Sequence, residues 1–409
     1  MRCRHCGTDL KLLLLDLGSA PPSNAYLTEE ALHKEEKKLP LRVLVCEKCW
    51  LAQTEDFAQA NELFDSGYAY FSGFSSSWLE HAENYVTDMV SRFNLNTKSH
   101  VIEVAANDGY LLQFVKQRGI PCTGVEPTSS TADAARLKNI PIIEDFFGVR
   151  LASKLAESGV KADLIIANNV LAHVPDINDF VSGFTKILKT DGVATFEFPH
   201  LLALIKGNQF DTVYHEHFSY LSFTAVNNIL TKNGLRIFDV QELSTHGGSL
   251  RVYAQLIDKG LHVCNESVEN LLYLEKQAGM QNRVFYSGFQ EKAEKIRKEF
   301  LVFLREAKKQ GKSVVAYGAA AKGNTLFNFA GINSELISYV TDRNPIKKGK
   351  YMPGSRIPIV DESNISRTKP DYIVILPWNL KKEIINQLSE VRGWGGAFVT
   401  TIPDLQLIK

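Results

Sequence analysis

The sequence predicts an α/β protein made of a cysteine-rich N-terminal unit and two units in which strands alternate with helices. Its 409 residues exceed the size of one typical core, so two or three domains are expected. Short apolar runs alternate with amphipathic stretches from about residue 68 to 260 and again from residue 312, a pattern typical of parallel sheets flanked by helices. Four of the six cysteines form two close pairs near the N-terminus, which indicates a separate small unit there.

The composition argues against several classes of protein. Lysine and arginine (46) balance aspartate and glutamate (46), so no field of one sign directs the chain to nucleic acid, and we expect no nucleic-acid partner. No apolar run approaches the roughly 20 residues of a membrane helix, and the first residues, MRCRHCGTDL, lack the apolar centre of a signal peptide. We therefore expect a soluble, cytoplasmic protein without a membrane partner.

The N-terminal unit, residues 1–66, carries its cysteines at metal-binding spacing. Cys3 and Cys6 form one CxxC pair, and Cys46 and Cys49 form the second. Two such pairs supply a tetrahedral sulfur shell that suits zinc, and a shell of four sulfurs leaves no open position for a substrate. A disulfide or redox pair is the alternative, which a reducing cytoplasm disfavours. The spacing therefore predicts a structural zinc site.

The central unit, residues 67–262, has five predicted parallel strands followed by a hairpin. The strands are HVIEVAA, PCTGVEP, IPIIEDFF, ADLIIANN and GVATFEFP, and the hairpin of LRIFDVQEL and SLRVYAQL closes the sheet edge. Ligands of such sheets bind at the carboxyl ends of the strands. The residues that follow each strand are therefore the candidates for a binding site.

The first four strands end in residues that suit an adenosine-bearing ligand. The turn EVAANDGYLL opens a helix, where exposed amides can hold a carboxylate or phosphate. An acid after the second strand suits ribose hydroxyls, and an acidic and aromatic pair after the third suits an adenine ring. Alanines stand where GxGxxG has glycines, which argues against a dinucleotide; a turn of small residues is also common without any ligand. The candidate cofactor residues are Glu103, Ala105, Asn107, Gly109, Glu126, Pro127, Asp145, Phe146, Asn168 and Asn169.

The fifth strand leads into VYHEHFSYLS, which places Tyr214, His215, Glu216 and His217 at the same edge of the sheet. Histidine suits proton transfer because its unperturbed pKa is about 6.5, and a neighbouring glutamate can fix its tautomer. Two alternatives are open. The two histidines could bind a second metal, or one of them could be structural, since alternating residues of an extended loop can face opposite ways.

Two further loops of the central unit are candidates for substrate contacts. The hairpin loop STHGGSLR carries His246, Gly247 and Arg251; glycine allows close approach, and arginine suits an anionic group. The stretch GYAYFSGFSSSW offers Tyr68 and Tyr70 to a substrate, or it is an aromatic linker packed between domains.

The last third of the chain continues the α/β pattern. Residues 263–311 are charged and helix-periodic, which predicts a helical connector. A second α/β unit spans residues 312–409, and its turn YGAAAKGNT, with Lys322 and Asn324, suits a pyrophosphate group. Lys347 and Tyr351 follow on a loop of the same unit. A plain tight turn and a solvated charge run are the alternatives.

The order of these motifs resembles that of the zinc-containing C-methyltransferases that act on nucleotide-linked 4-keto-deoxysugars. The resemblance covers essentially the whole chain and rests most on the two CxxC pairs and YHEHFSYLS, with YAYFS, EVAANDGYLL, GVEPT, HGGSLR, YGAAAKGNT and LPWN in support. It implies a central class I, Rossmann-like methyltransferase domain that binds S-adenosylmethionine. It also implies a Rossmann-like C-terminal domain that helps to hold the nucleotide sugar.

The resemblance implies residue roles as well. His217 would remove a proton from the sugar, and Tyr214, Glu216, His173 and a tyrosine of YAY would surround it. The expected reaction is C-methylation of a dTDP-linked 4-keto-deoxysugar at carbon 3, with carbon 5 as the alternative position. An O- or N-methyltransferase of a small molecule or tRNA is the alternative among enzymes, and an inactive nucleotide-sugar sensor is the alternative outside them.

Overall fold

The computed structural model describes residues 1–55, 57 and 71–409, and it confirms the predicted α/β fold class. The described residues form one four-stranded, one seven-stranded and one six-stranded sheet. Tyr68 and Tyr70 lie outside the described residues. Among the helices that the structure describes, none has both the length and the hydrophobicity needed to cross a membrane.

The elements are numbered here in chain order. The strands are β1 (Leu12–Ala20), β2 (Leu39–Val45), β3 (Ala52–Thr54), β4 (Val101–Val104), β5 (Cys122–Val125), β6 (Ile142–Ile143), β7 (Ala162–Asn168), β8 (Leu188–Pro199), β9 (Ser219–Tyr220), β10 (Leu235–Leu243), β11 (Ser249–Leu256), β12 (Val314–Tyr317), β13 (Val340–Thr341), β14 (Ile359–Val360), β15 (Tyr372–Ile375), β16 (Ala397–Thr400) and β17 (Gln406–Ile408). The α-helices are α1 (Ser76–Arg92), α2 (Leu112–Gln117), α3 (Ser129–Leu137), α4 (Val149–Glu157), α5 (Ile177–Ile187), α6 (Leu201–Lys206), α7 (Phe223–Lys232), α8 (Glu266–Gln277), α9 (Arg283–Tyr286), α10 (Phe289–Lys309), α11 (Ala321–Ala330), α12 (Ser363–Thr368) and α13 (Lys381–Gln387).

The central sheet has the order β10-β11-β8-β7-β4-β5-β6. Strands β6, β5, β4, β7 and β8 run parallel, and the hairpin of β10 and β11 joins antiparallel to β8, as the sequence predicts. Helices cover the parallel strands, so β7 reads as a continuous apolar run and is almost entirely buried. The order of the strands reverses between β4 and β7, and a ligand crevice is expected at their carboxyl ends.

The C-terminal sheet has the order β14-β13-β12-β15-β16-β17, with only the last strand antiparallel. Its strand order reverses between β12 and β15. This is the arrangement of a Rossmann-like nucleotide-binding sheet, and it places a second crevice at the carboxyl ends of those two strands.

The N-terminal sheet is antiparallel and includes one strand from the central unit. Its order is β1-β2-β3-β9, and β9 begins two residues after His217. The histidine-rich loop therefore leads into the sheet whose β2–β3 connection carries Cys46 and Cys49.

The predicted connector, residues 263–311, is helical and belongs to the core. Helix α10 buries Ala293, Ile296, Phe300 and Leu304 along one stripe, at the spacing of an amphipathic helix. This stripe packs in one apolar cluster with residues of the N-terminal sheet and of the C-terminal unit. Helices α9 and α10 therefore connect the two outer units, whereas α8 packs against the central unit.

Candidate functional site

One cavity of about 1430 Å³, lined by described residues, lies where the carboxyl ends of the central sheet face those of the C-terminal sheet. Its walls come from the loops after β4, β5, β7 and β8 on one side and after β12, β13 and β15 on the other. Pockets for one small ligand are usually about 300–1,000 Å³. The volume and the two facing crevices suit two ligands held side by side.

Most of the predicted cofactor residues line the central-sheet end of this cavity. They are Ala105, Asn107, Glu126, Pro127, Asp145, Phe146, Asn168 and Asn169. Glu103 and Gly109 lie beneath the turn and do not line the cavity. Gly109 has φ +72°, and a side chain there would collide with Ile140 and Ala135, so it shapes the turn rather than the wall.

Two carboxylates at this end have different surroundings. Glu126 is buried, its oxygens accept the backbone N–H groups of Asn107 at 2.9 Å and Thr128 at 3.0 Å, and burial raises its pKa. Asp145 is paired with Arg150 at 2.6 Å. The Phe146 ring beside it is 45% exposed, so an apolar face is open to a flat ligand such as an adenine ring.

Asn168, the last residue of β7, and Asn169, which follows it, have buried polar atoms without a hydrogen-bond partner among the described residues. Within the described part of the chain, the Asn169 Oδ1 and Nδ2 atoms and the Asn168 Oδ1 atom accept or donate no hydrogen bond. A buried polar group without a partner costs about 1–3 kcal/mol. Both residues line the cavity, so a polar ligand would satisfy them.

The centre of the cavity holds the histidine-rich loop. The Thr212 carbonyl accepts a hydrogen bond from His217 Nδ1 at 3.0 Å, which leaves Nε2 as the lone-pair nitrogen of the neutral ring. The Tyr214 hydroxyl donates to this Nε2 at 2.7 Å. Burial, with the nearby His173 ring, lowers the pKa of His217 well below its usual value of 6.5. The ring is therefore neutral near pH 7 and able to accept a proton.

His173 lies against this pair. Its ring centre is 4.6 Å from that of His217, and its Nδ1 donates to the Glu216 carbonyl at 2.7 Å. Burial lowers its pKa to about 4, so this ring is also neutral. Tyr214, His217 and His173 all line the cavity, and the structure brings these three predicted residues together.

The other two residues of the loop face the N-terminal unit instead. The His215 Nε2 atom lies 3.2 Å from the carbonyls of Leu39 and Pro40, to which it donates, and the ring does not line the cavity. The Glu216 carboxylate is buried and accepts from the backbone and side-chain nitrogens of Asn24 at 3.2 and 3.1 Å. The tight turn directs both side chains away from the cavity, and their predicted place around a substrate stays a prediction.

The C-terminal sheet contributes a basic wall. Lys322 donates to Asn379 Oδ1 at 3.0 Å and lies 4.4 Å from the Trp378 ring; burial lowers its pKa to about 8, against the opposing charge of Asp211. Lys347 donates to the Ala319 carbonyl at 2.7 Å. Both lysines line the cavity, as does His246 of the hairpin loop.

Four other residues predicted to bind substrate do not line the cavity: Asn324, Tyr351, Gly247 and Arg251. Asn324 is fully buried and donates to the Ser23 carbonyl at 2.6 Å. Tyr351 forms a backbone bridge with Leu27. The helix that carries Asn324 and the loop that carries Tyr351 both contact the N-terminal unit, and neither residue lines the cavity, so their role toward a substrate stays a prediction.

Gly247 and Arg251 support the cavity from behind. A side chain on Gly247, which has φ +84°, would meet Trp378 Cη2 at 2.5 Å, so the predicted close approach is to a neighbouring loop. Arg251 is buried and paired with Glu197 at 3.0 Å, so the protein itself supplies an anion beside it, and its predicted contact with an anionic ligand stays a prediction.

Sequence reasoning missed several residues of the wall. His81 lines the cavity, stacks on Trp78 at 4.9 Å and contacts the Glu197 carboxylate at 2.9 Å. Gln387 lines the opposite end and donates to the Tyr317 hydroxyl at 2.8 Å. His81 and Trp78 could have been predicted from the polar and aromatic residues at the start of helix α1, which overlaps the end of the stretch GYAYFSGFSSSW.

The four N-terminal cysteines gather into one cluster. Their Sγ atoms all lie within 4.8 Å of one another, with 3.5 Å between Cys3 and Cys49 and between Cys6 and Cys46. Sulfurs at the corners of a zinc tetrahedron are about 3.8 Å apart. The four thiols therefore fit a single tetrahedral zinc ion.

Three family profiles match successive parts of the chain. "Putative zinc binding domain" matches residues 3–64, "Methyltransferase domain" matches residues 78–240, and "C-methyltransferase C-terminal domain" matches residues 244–403.

Individual proteins are similar to the whole chain or to a part of it. The C-methyltransferase NovU of Streptomyces niveus is 32% identical over 407 residues, covering 100% of this chain and 96% of NovU. A ubiquinone biosynthesis O-methyltransferase of Bartonella quintana (strain Toulouse) is 24% identical over 156 residues, 34% of this chain and 61% of that protein. The crystal structure of magnesium protoporphyrin IX methyltransferase from Synechocystis PCC 6803 with bound SAM is 19% identical, with a TM-score of 0.33 over 43% of this chain and 78% of that one.

Proposed function

The chain belongs to the zinc-containing, S-adenosylmethionine-dependent C-methyltransferases, and on this premise we propose that it methylates a carbon of a nucleotide-linked 4-keto-deoxysugar. One observation carries the proposal. The His217 imidazole lies in a cavity that joins the carboxyl ends of two Rossmann-like sheets, each of the kind that binds nucleotides. Such a cavity suits a methyl donor at one end and a nucleotide-bearing acceptor at the other.

The reaction requires a base and a hydrogen-bond donor. A carbon beside a ketone is acidic only because its anion delocalises onto the keto oxygen, so catalysis needs a base at the carbon and a donor at the oxygen. His217 Nε2 is the base, because the Thr212 carbonyl holds the proton on the other ring nitrogen. The low pKa of the ring keeps this nitrogen unprotonated near pH 7.

Tyr214 is the donor to the keto oxygen. Its hydroxyl donates to His217 Nε2 at 2.7 Å. When a sugar binds, this O–H would turn to the keto oxygen, which frees the Nε2 lone pair to take the proton from the adjacent carbon. His173 is less suited to this task. Because its Nδ1 hydrogen is held by the Glu216 carbonyl, its Nε2 accepts hydrogen bonds, which suits a sugar hydroxyl.

The central-sheet end of the cavity fits the methyl donor. When bound, S-adenosylmethionine supplies the electrophilic methyl group of a sulfonium. Glu126 would accept the ribose hydroxyls, Phe146 would cover the adenine, and the Asn169 amide and the Asn168 Oδ1 atom would bind polar groups of the same ligand. These residues would hold the ligand beside the histidine-rich loop.

The C-terminal end fits the nucleotide of the acceptor. Lys322 and Lys347 are cations held at the cavity wall, and burial of Lys322 makes an anionic partner favourable. The start of helix α11 adds backbone N–H groups that suit a diphosphate. We assign a dTDP-linked sugar with methylation at carbon 3, and zinc at the cysteine cluster as a structural ion without a step in the reaction.

The test is to incubate the purified protein with S-adenosylmethionine and a panel of nucleotide-linked 4-ketosugars. We expect gain of one methyl group by mass, and a carbon-attached methyl by NMR. The matched control is the same sugar reduced to the 4-alcohol, which has no acidified hydrogen and should gain no methyl. A methyl group attached to oxygen or nitrogen, or equal methylation of the alcohol, would contradict the proposal.

A further inference from the structure

We propose that Thr54 and Gln53, next to the cysteine cluster, are positioning residues that hold the backbone of the histidine-rich loop at His217. This inference rests on the proposed function of His217. It assigns the N-terminal unit a task beyond stabilising its own fold: keeping the base at its place in the cavity.

The first step is the direct contact between the two elements. Strand β3 pairs antiparallel with β9, with Gln53 opposite Ser219 and Ala52 opposite Tyr220. One residue further along, the Thr54 N–H donates to the Phe218 carbonyl at 3.1 Å. The Thr54 hydroxyl donates to the carbonyl of His217 itself, also at 3.1 Å.

The second step connects the same strand to the sulfurs. Gln53 is fully buried, and its Nε2 donates to Cys3 Sγ at 3.3 Å. Its Oε1 accepts the backbone N–H of Arg4 at 2.9 Å. One side chain therefore contacts a metal-ligating sulfur while its own backbone pairs with the histidine-rich loop.

The third step is a second connection through Arg4. This residue follows Cys3, and its guanidinium donates to the Thr54 carbonyl at 2.8 Å and lies 5.4 Å from the centre of the Phe218 ring. The segment around Cys3 and the histidine-rich loop are thus connected by two sets of contacts, one through Gln53 and one through Arg4. Order imposed on the cysteines by a metal would be passed to residues 217–220 through buried hydrogen bonds.

The geometry of the base makes this positioning matter. The His217 ring is set by its own backbone and by the Thr212 carbonyl, and both belong to one tight turn. A displacement of a catalytic group by about 1 Å can cost about 100-fold in rate. A loosened β9 is therefore expected to lower kcat, whereas the cofactor residues on β4 and β5 are not expected to respond.

The test compares Thr54→Val, which removes the hydroxyl at similar volume, with Thr54→Ser, which keeps it. Amide hydrogen exchange is measured on the full-length protein without substrate. We expect residues 213–221 to exchange about tenfold faster in T54V, and T54S to match the unaltered protein, with β7 as an internal reference that does not change. Zinc content, measured by atomic absorption, should be the same in all three.

Two further measurements complete the test. With donor and ketosugar, T54V should lose about tenfold in kcat with an unchanged affinity for S-adenosylhomocysteine, and T54S should restore the rate. Chelation of zinc should speed exchange of residues 213–221, and added zinc should reverse it. Unchanged exchange and kcat in T54V would overturn the inference. The exchange data need no turnover, so a protein that methylates no ketosugar would refute the proposed function separately.

Discussion

Replacing Glu197 by glutamine should strongly destabilise the central unit. Glu197 is fully buried at the end of β8, and its carboxylate contacts Arg251 at 3.0 Å and His81 at 2.9 Å. Arg251 is only 4% exposed, so water cannot replace the lost partner. Breaking a buried ion pair from one side typically costs about 3–5 kcal/mol, because the remaining charge is left uncompensated. Most of this cost is expected in Glu197→Gln.

The assay is urea unfolding followed by far-ultraviolet circular dichroism, with a matched double variant. Glu197→Gln combined with Arg251→Met removes both charges and should be more stable than Glu197→Gln alone, since a buried pair is often replaceable by neutral groups. Two outcomes would refute the reasoning: a loss below about 1 kcal/mol in E197Q, or a double variant less stable than E197Q.

Three more predictions concern residues that line the cavity or pack directly behind it. The active form of His217 is unprotonated and its pKa is lowered well below 6.5, so kcat/KM should stay constant as the pH falls to 6.5 and drop only further into acid; an acid limb at or above 6.5 would contradict this. Gly247→Ala should cost about 1–3 kcal/mol by thermal unfolding and lower activity, because the new side chain meets Trp378, whereas Gly159→Ala, with a similar φ of +82° and nothing within 4 Å, should keep its activity. Asn169→Gly, which tolerates the φ of +55°, should weaken S-adenosylhomocysteine binding by about tenfold in calorimetry; unchanged affinity would remove this residue from the donor site.

The sheets and the edge that carries the cavity could be predicted from local sequence. The apolar run of β7 is buried on both faces, and its pattern alone indicates a central parallel strand. Because carboxyl ends of parallel strands share one edge, Asn107, Glu126 and Asn169 could be placed together without knowing any contact between them. The cysteine cluster was predictable for a similar reason, since CxxC spacing is a local property.

Partners distant in sequence could not be predicted. Arg251 and Asn324 carry ordinary binding groups, and nothing near them in the sequence shows that Glu197 and the Ser23 carbonyl satisfy those groups. The partners of the buried stripe of helix α10 could not be predicted either, because the charged, helix-periodic sequence indicates only a helical connector. Tertiary packing decides such cases.

The histidine-rich loop shows where local reasoning ends. His215 and His217 are two residues apart with the same chemistry, and the sequence leaves open which one faces the cavity. Pairing of β9 with β3 orients the turn, so that His215 meets the carbonyls of Leu39 and Pro40 and His217 enters the cavity. The deciding contact comes from a segment more than 150 residues earlier in the chain.

Solvent deuterium exchange at the carbon beside the ketone tests the central claim most directly. The protein is mixed with a nucleotide-linked 4-ketosugar in D₂O without a methyl donor, and loss of the proton is followed by NMR. We expect exchange by the unaltered protein and by His215→Asn, and a loss of about 100-fold or more in His217→Asn. Exchange in His217→Asn at the unaltered rate would contradict the assignment of this imidazole as the base.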